Sequence, residues 1–179
     1  MALGDDDPNN RSGELAKALL NCPRVARVDV AVRPTHRALA ALKDLAEQCP
    51  ERLQILSEPG ETPPRVSRCH FAVTAGNSWS LELACVGVPQ LMIVQAEPHW
   101  PTAQRLEEEG AATCLGWHEN VSAVTFRQAV NDLLSDALER QAMARCGRKL
   151  IDGRGLDRLV TALEMLLHKT PQAEMQVAA

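Results

Sequence analysis

Short, largely apolar segments alternate along this chain with segments of helical periodicity. The apolar segments lie at residues 25–32, 53–56, 71–74, 91–94 and 112–115, and the helical ones at residues 12–20, 36–48, 78–86 and 101–109. Apolar strands that follow one another through helices form a parallel sheet covered on both faces. Right-handed crossovers then predict an α/β fold with a Rossmann-like, doubly wound parallel sheet. Three more helices are expected at residues 121–134, 136–147 and 156–168.

The length of 179 residues fits one well-buried domain. We expect this domain to span residues 1–169, followed by a flexible tail at residues 170–179. The chain opens almost inside a strand, because residues 1–4 read as a strand stub. Such an opening is expected of a domain taken from a longer protein, or of one half of a split protein.

Composition excludes several classes of function. The net charge of -4 argues against a nucleic-acid binder, and no apolar run is long enough for a membrane span. The acidic N-terminus does not resemble a signal peptide. The six cysteines are far apart and show no C-x-x-C or other metal-binding spacing, so we expect reduced core thiols in a cytoplasmic protein with no metal or other cofactor.

The turn at residues 75–78 is the strongest candidate for a binding site. Gly76 allows the backbone to approach a ligand closely, Asn77 can cap the following helix, and Ser78 offers a hydroxyl in its first turn. The positive end of the helix dipole favours an anion there. Glu82 lies four residues after Ser78, where it can accept hydrogen bonds from ribose hydroxyls. An ordinary capped helix with a solvated glutamate is the alternative.

The helical spacing of Leu81, Ala84, Cys85 and Val88 predicts that their side of this helix is buried. His99 precedes a helix start at the sheet edge where α/β folds bind ligands, so it could contact a sugar or phosphate. The alternative for His99 is a surface histidine at a helix entrance. No Ser-His-Asp order is present, and no catalytic residue is assigned.

Three motifs carry a family resemblance. AGNSWSLELACVGVP, followed by QLMIVQAEPHWPTAQRLEEEGAA, resembles the C-terminal half of the UDP-2,4-diacetamido-2,4,6-trideoxy-altropyranose hydrolases of pseudaminic acid biosynthesis. LGDDDP resembles the first glycine-rich loop of that half, and DGRGLDR resembles its D-G-x-G-x-x-R element. The chain is more distantly similar to the C-terminal domain of the UDP-GlcNAc transferase of peptidoglycan synthesis. Both families have the two-domain GT-B fold.

The resemblance implies a UDP-sugar ligand. The diphosphate would lie against Gly76, Asn77 and Ser78, the ribose against Glu82, and the uracil near residues 56–58. With Gly4 of the first loop and His99, these form the candidate binding set. In the hydrolases a histidine of the N-terminal half is the base, so this chain is expected to need an N-terminal partner domain; a homo-oligomer is also considered.

Some residues depart from the family pattern G-G-S-T-x-x-E-x-x-x-x-G-x-P. Asn77 replaces the second glycine, Trp79 replaces the threonine, and Pro98-His99 stands where Asn-Gln is common. Asp5 and Asp6 in the first loop would each repel a diphosphate by on the order of 1 kcal/mol when solvated. The alternative function is therefore a non-catalytic assembly or regulatory module whose nucleotide site is degenerate.

Overall fold

The computed structural model describes residues 1–4, 7–58, 60–66 and 68–169. Five strands are present: β1 Val28–Ala31, β2 Leu53–Leu56, β3 Ala72–Thr74, β4 Gln90–Val94 and β5 Thr113–Trp117. Eight helices accompany them: α1 Ser12–Leu20, α2 Leu39–Gln48, α3 Pro63–Val66, α4 Ser78–Val86, α5 Trp100–Glu108, α6 Ala123–Ser135, α7 Ala137–Leu150 and α8 Gly155–Lys169. A 3-10 turn, Glu97–His99, leads into α5.

All strand pairs are parallel, in two ladders that the N-terminal segment, residues 1–3, joins. One ladder pairs β1 with β2, and the other has the order β3-β4-β5. Ala31 N donates to the Met1 carbonyl oxygen (2.9 Å), and Ala2 N donates to the Val73 carbonyl oxygen (2.9 Å). Ala2 also forms a parallel bridge with Thr74. The spatial order is therefore β2, β1, N-terminal segment, β3, β4, β5, which confirms the predicted Rossmann-like doubly wound sheet.

Apolar side chains cover the sheet on both faces. On one face Leu15 and Leu19 of α1 pack with Phe126 and Val130 of α6 against the sheet. On the other face Ala84 of α4, Ala103 and Leu106 of α5 and the strand residues Met92 and Val94 form a second cluster. Residues 90–94 are buried throughout, as expected of a central parallel strand.

Several predicted boundaries were wrong by a few residues. β1 begins at Val28 and ends at Ala31, inside the expected span of residues 25–32, and α2 begins at Leu39 instead of residue 36. α3 was not among the expected helices, and β5 extends two residues further than expected. The expected tail at residues 170–179 lies outside the described residues.

The buried side of α4 agrees with its prediction only in part, because Ala84 and Val88 are buried as expected but Leu81 is not. Ser80, Leu83 and Ala84 are buried, whereas Leu81 is 37% exposed. The helix is apolar on most of its circumference, so periodicity alone could not select the side that faces the sheet. Contacts with the small residues of α7 and with the neighbouring strands determine which side of α4 is buried.

The six cysteines are free thiols, but they do not all lie in the core. Cys22 is buried, Cys69 is exposed, and the other four are half-buried. The expectation of core thiols therefore holds for Cys22 and is wrong for Cys69. Among the described residues, no helix combines the length and apolar character needed to cross a bilayer.

Close contact between α4 and α7 fixes the helix that carries the candidate site. A Cβ on Gly147 of α7 would lie 2.8 Å from the Ala84 carbonyl oxygen and 3.1 Å from Ala84 Cα. These are backbone atoms, so the two helices would have to separate.

We predict that Gly147→Ala lowers the free energy of unfolding by about 1–3 kcal/mol. Gly13→Ala in α1 is the matched control, because nothing lies within 4 Å of its added Cβ. That change should leave stability unchanged or raise it by up to about 1 kcal/mol, since alanine favours helices. Urea unfolding of both variants measures the difference; equal stability of the two would contradict this account of the contact.

Candidate functional site

The candidate site lies at the carboxyl ends of the strands, where the strand order reverses. The N-terminal segment and β3 are neighbours, but the chain leaves them towards helices on opposite faces, α1 and α4. A crevice forms where two such connections diverge, and α/β sheets bind ligands there. The loop after the N-terminal segment begins at Gly4, and the loop after β3 contains Gly76 and Asn77.

Gly76 occupies a position that no larger residue fits. Its φ of +77° lies in the left-handed region. A Cβ there would lie 2.8 Å from Ala103 Cβ and 3.0 Å from the His99 carbonyl oxygen. The loop after β3 therefore lies directly against the start of α5. This contact brings His99 beside Gly76, two residues that are far apart in sequence.

Asn77 and Gly4 bring the two loops together. Asn77 is the N-cap residue of α4, with φ of −91° and ψ of −167°, but its side chain accepts no hydrogen bond from the first turn. Its Nδ2 instead lies 3.2 Å from where a Gly4 Cβ would be. Asn77 Oδ1 is buried and has no hydrogen-bond partner among the described residues. The positive end of α4 is thus left without a side-chain cap.

Ser78 and Glu82 border this helix start without belonging to its closest contacts. Both side chains are exposed on α4, and Glu82 makes no ion pair with any described residue. Residues four apart on a helix lie one above the other. Glu82 is therefore one turn away from the loop, with its carboxylate free for another group.

A buried polar network, which the sequence analysis missed, holds the helix start in place. Ser80 Oγ donates to Thr74 Oγ1 (2.9 Å), Thr74 Oγ1 donates to Gln90 Oε1 (3.2 Å), and Gln90 Nε2 donates to the Ser80 carbonyl oxygen (2.9 Å). All three residues are fully buried. The network ties the end of β3 and the start of β4 to the first turn of α4. Polar residues flanking apolar strands were the only sequence signal for it.

His99 is held as a neutral, partly buried imidazole. Burial lowers the pKa of His99 below its usual 6.5. Its Nδ1 is buried and has no partner among residues 1–4, 7–58, 60–66 and 68–169. In a neutral imidazole, an unpartnered nitrogen can donate a hydrogen bond to a hydroxyl or water, or accept one from it, according to the tautomer.

A cavity of about 310 Å³ adjoins the helix start. It opens between Gly4, the end of β2 at Leu56, and Trp79 in the first turn of α4. Residues 56–58, where the resemblance implies the uracil, lie in its wall. Two backbone donors in this wall, Ser57 N and Glu58 N, are both taken by the Glu61 carboxylate at 2.9 Å.

A second cavity, of about 470 Å³, opens at the amino ends of the central strands. Four arginines line it: Arg24, Arg27, Arg65 and Arg68. Two of them are partly neutralised, because Asp29 pairs with Arg27 (2.8 Å) and Arg65 (3.5 Å). This basic cavity is a competing place for an anion, far from the predicted site residues.

The other two motifs of the resemblance have structural roles in their described parts. Asp7 is buried, and its two carboxylate oxygens accept from Arg11 N (3.0 Å) and Ser12 N (2.7 Å), which caps α1. Asp5 and Asp6 lie outside the described residues. Asp152 is exposed and pairs with Arg158 at 2.7 Å, and this hydrogen-bonded partner lowers the pKa of Asp152 to about 2.

The structure therefore groups most of the predicted set. Gly4, Gly76, Asn77 and His99 lie around one point, Ser78 borders it, and Glu82 is a turn away. Within the described part of the chain, no group of three or more histidine, cysteine or carboxylate side chains could hold a metal ion.

The doubly wound sheet and the glycine-lined helix start define the class: the chain is a GT-B glycosyltransferase-like domain, one half of that two-domain fold. It is 28% identical over 168 residues to the spore coat polysaccharide biosynthesis protein SpsG of Bacillus subtilis, a match that covers 93% of this chain and 49% of SpsG. No family model matches the chain.

Solved glycosyltransferase structures share this fold. The spinosyn rhamnosyltransferase SpnG superposes with a TM-score of 0.63 at 26% identity, covering 87% of this chain and 41% of SpnG. MurG of Acinetobacter baumannii gives 0.66 at 18% identity, covering 91% and 47%. SpnG is also known in complex with thymidine diphosphate. The chain thus spans about half the length of SpsG and less than half of these two enzymes.

The lowered pKa of His99 predicts that the stability of the folded domain depends on pH. The unfolded chain binds this proton more readily than the folded protein, so stability should fall as the pH drops below about 6.5. His99→Gln should flatten the dependence of the unfolding free energy on pH below about 6.5. His168→Gln, on the exposed helix α8, is the control for losing one histidine. Identical pH dependence in wild type and His99→Gln would contradict the burial of this imidazole.

Proposed function

We propose that this chain is the nucleotide-binding half of a nucleotide-sugar enzyme, a hydrolase or glycosyltransferase, and that it binds the UDP part of a UDP-sugar. The observation that carries the proposal is the junction of Gly4, Gly76 and Asn77 at the uncapped start of α4. Small residues let the backbone approach a ligand there, and the helix dipole favours an anion. The diphosphate occupies this junction.

The remaining parts of the ligand have places beside the diphosphate. Glu82, exposed and without an ion-pair partner among the described residues, accepts hydrogen bonds from the ribose hydroxyls. The base enters the cavity of about 310 Å³ that Gly4 also lines, a volume at the small end of ligand pockets. His99 lies beside Gly76, where it contacts the second phosphate or the sugar.

The relatives support a role in sugar transfer or removal. SpsG is named for polysaccharide biosynthesis, and SpnG is a rhamnosyltransferase seen with a nucleoside diphosphate. Because the chain spans about half of SpsG, we propose that it corresponds to the C-terminal half, as in the pseudaminic acid hydrolases it resembles. The catalytic base then comes from an N-terminal half, and the domain alone binds without reacting. We place its action in the cytoplasm.

Calorimetric titration with UDP tests the proposal. We expect wild type to bind UDP in the millimolar range or tighter, and Glu82→Ala to weaken binding about tenfold through the loss of charged hydrogen bonds to ribose. Glu47→Ala, which removes an exposed glutamate from α2, is the matched control and should bind as wild type does. If the wild-type domain does not bind UDP at millimolar UDP concentrations, the proposal is wrong.

The alternative, a non-catalytic assembly or regulatory module, is favoured by one observation. Helix α8 leaves apolar side chains exposed along its length, among them Leu159 (55%), Leu163 (51%) and Leu166 (65%). A soluble domain seldom leaves such a surface uncovered. On this alternative, sedimentation would show a homodimer or a stable complex with another protein, and UDP would not bind. Binding of UDP by a monomer would exclude it.

A further inference from the structure

Trp79 is a large apolar residue that does not belong to the core that the described residues form. Its indole is half-buried in the first turn of α4, yet it lies outside the clusters of packed apolar side chains among the described residues. The aromatic pair in the described structure is Trp100 with Trp117, whose ring centroids are 5.8 Å apart. Trp79 therefore contributes little to the core, although its size makes it costly to leave unpacked.

Trp79 lines the cavity beside the start of α4. It is the one aromatic residue among the described residues that line the cavity of about 310 Å³. Other walls come from the ends of β1 and β2, at Val32 and Leu56, and Gly4 joins the cavity to the start of α4. A ligand with its anionic group at Asn77 would thus place its next ring system along the indole.

We propose that Trp79 is the stacking platform for the nucleobase, and that it supplies most of the affinity for the base; this inference rests on the proposed nucleotide-binding function. A planar heterocycle is the ligand group that best covers an indole face, because stacking needs no matched hydrogen bonds. The cavity volume suits a pyrimidine nucleoside, and its walls are mainly apolar.

The hydrogen bonds of the cavity wall strengthen this inference. Glu61 Oε2 already accepts from Ser57 N and Glu58 N, both at 2.9 Å. These two backbone donors are therefore not available to the carbonyl groups of a base while Glu61 remains in place. With those two donors occupied, contact with the indole face supplies a larger share of the attraction for the base.

Comparing UDP with inorganic diphosphate separates stacking from phosphate binding. For Trp79→Ala we expect the Kd of UDP to rise about tenfold or more, while the Kd of inorganic diphosphate, measured directly or by displacement, stays within about twofold. Trp79→Phe should restore most of the UDP affinity, because phenylalanine keeps an aromatic face. Leu81→Ala, which trims an exposed apolar residue two positions along α4, is the matched control.

A second measurement keeps the native Trp79. In a Trp100→Phe, Trp117→Phe background, Trp79 is the sole indole, and the phenylalanines retain a stacked pair. UDP should quench its fluorescence and inorganic diphosphate should not. If UDP binds but leaves this emission unchanged, or if Trp79→Ala weakens both ligands equally, the platform role is overturned while the nucleotide site stands. If wild type binds no UDP, both proposals fail.

Discussion

The hydrogen bonds of the N-terminal segment hold the whole sheet together. Residues 1–3 donate and accept between β1 and β3, and without them a two-stranded and a three-stranded ladder would face each other unpaired. Unpaired backbone groups in a buried position cost free energy comparable to a lost hydrogen bond. Because the N-terminal segment lies between β1 and β3, the strand order reverses there, and this reversal opens the crevice in which the candidate site lies.

The candidate site is made mainly of backbone, and its geometry is held by residues that pack behind it. Gly76 fits against Ala103 and His99 because it lacks a side chain, and the fully buried Thr74–Ser80–Gln90 network fixes the first turn of α4. Gly147 allows α7 to approach that helix from behind. The proposed diphosphate ligand suits this arrangement, because rigid N–H groups lose little entropy when they bind an anion.

The sequence predicted the sheet correctly, and it singled out a candidate site, because both depend on local patterns. Apolar strands between helices and a Gly-Asn-Ser turn after β3 are readable without tertiary information. The buried side of α4 was predicted only in part, with Leu81 placed wrongly, because a helix that is apolar on most of its circumference has little periodicity to read. The contact of Gly76 with the start of α5, and the role of Trp79 as a cavity wall, depend on residues distant in sequence and needed the structure.

The most direct test of the central claim is a two-dimensional amide NMR titration of the 19.5 kDa domain with UDP. The account predicts that the largest shifts fall on Gly4, Gly76, Asn77 and Ser78, at the junction of the two loops. Shifts confined to the arginine-lined cavity at the amino ends of the strands, or no shifts at millimolar UDP, would contradict it.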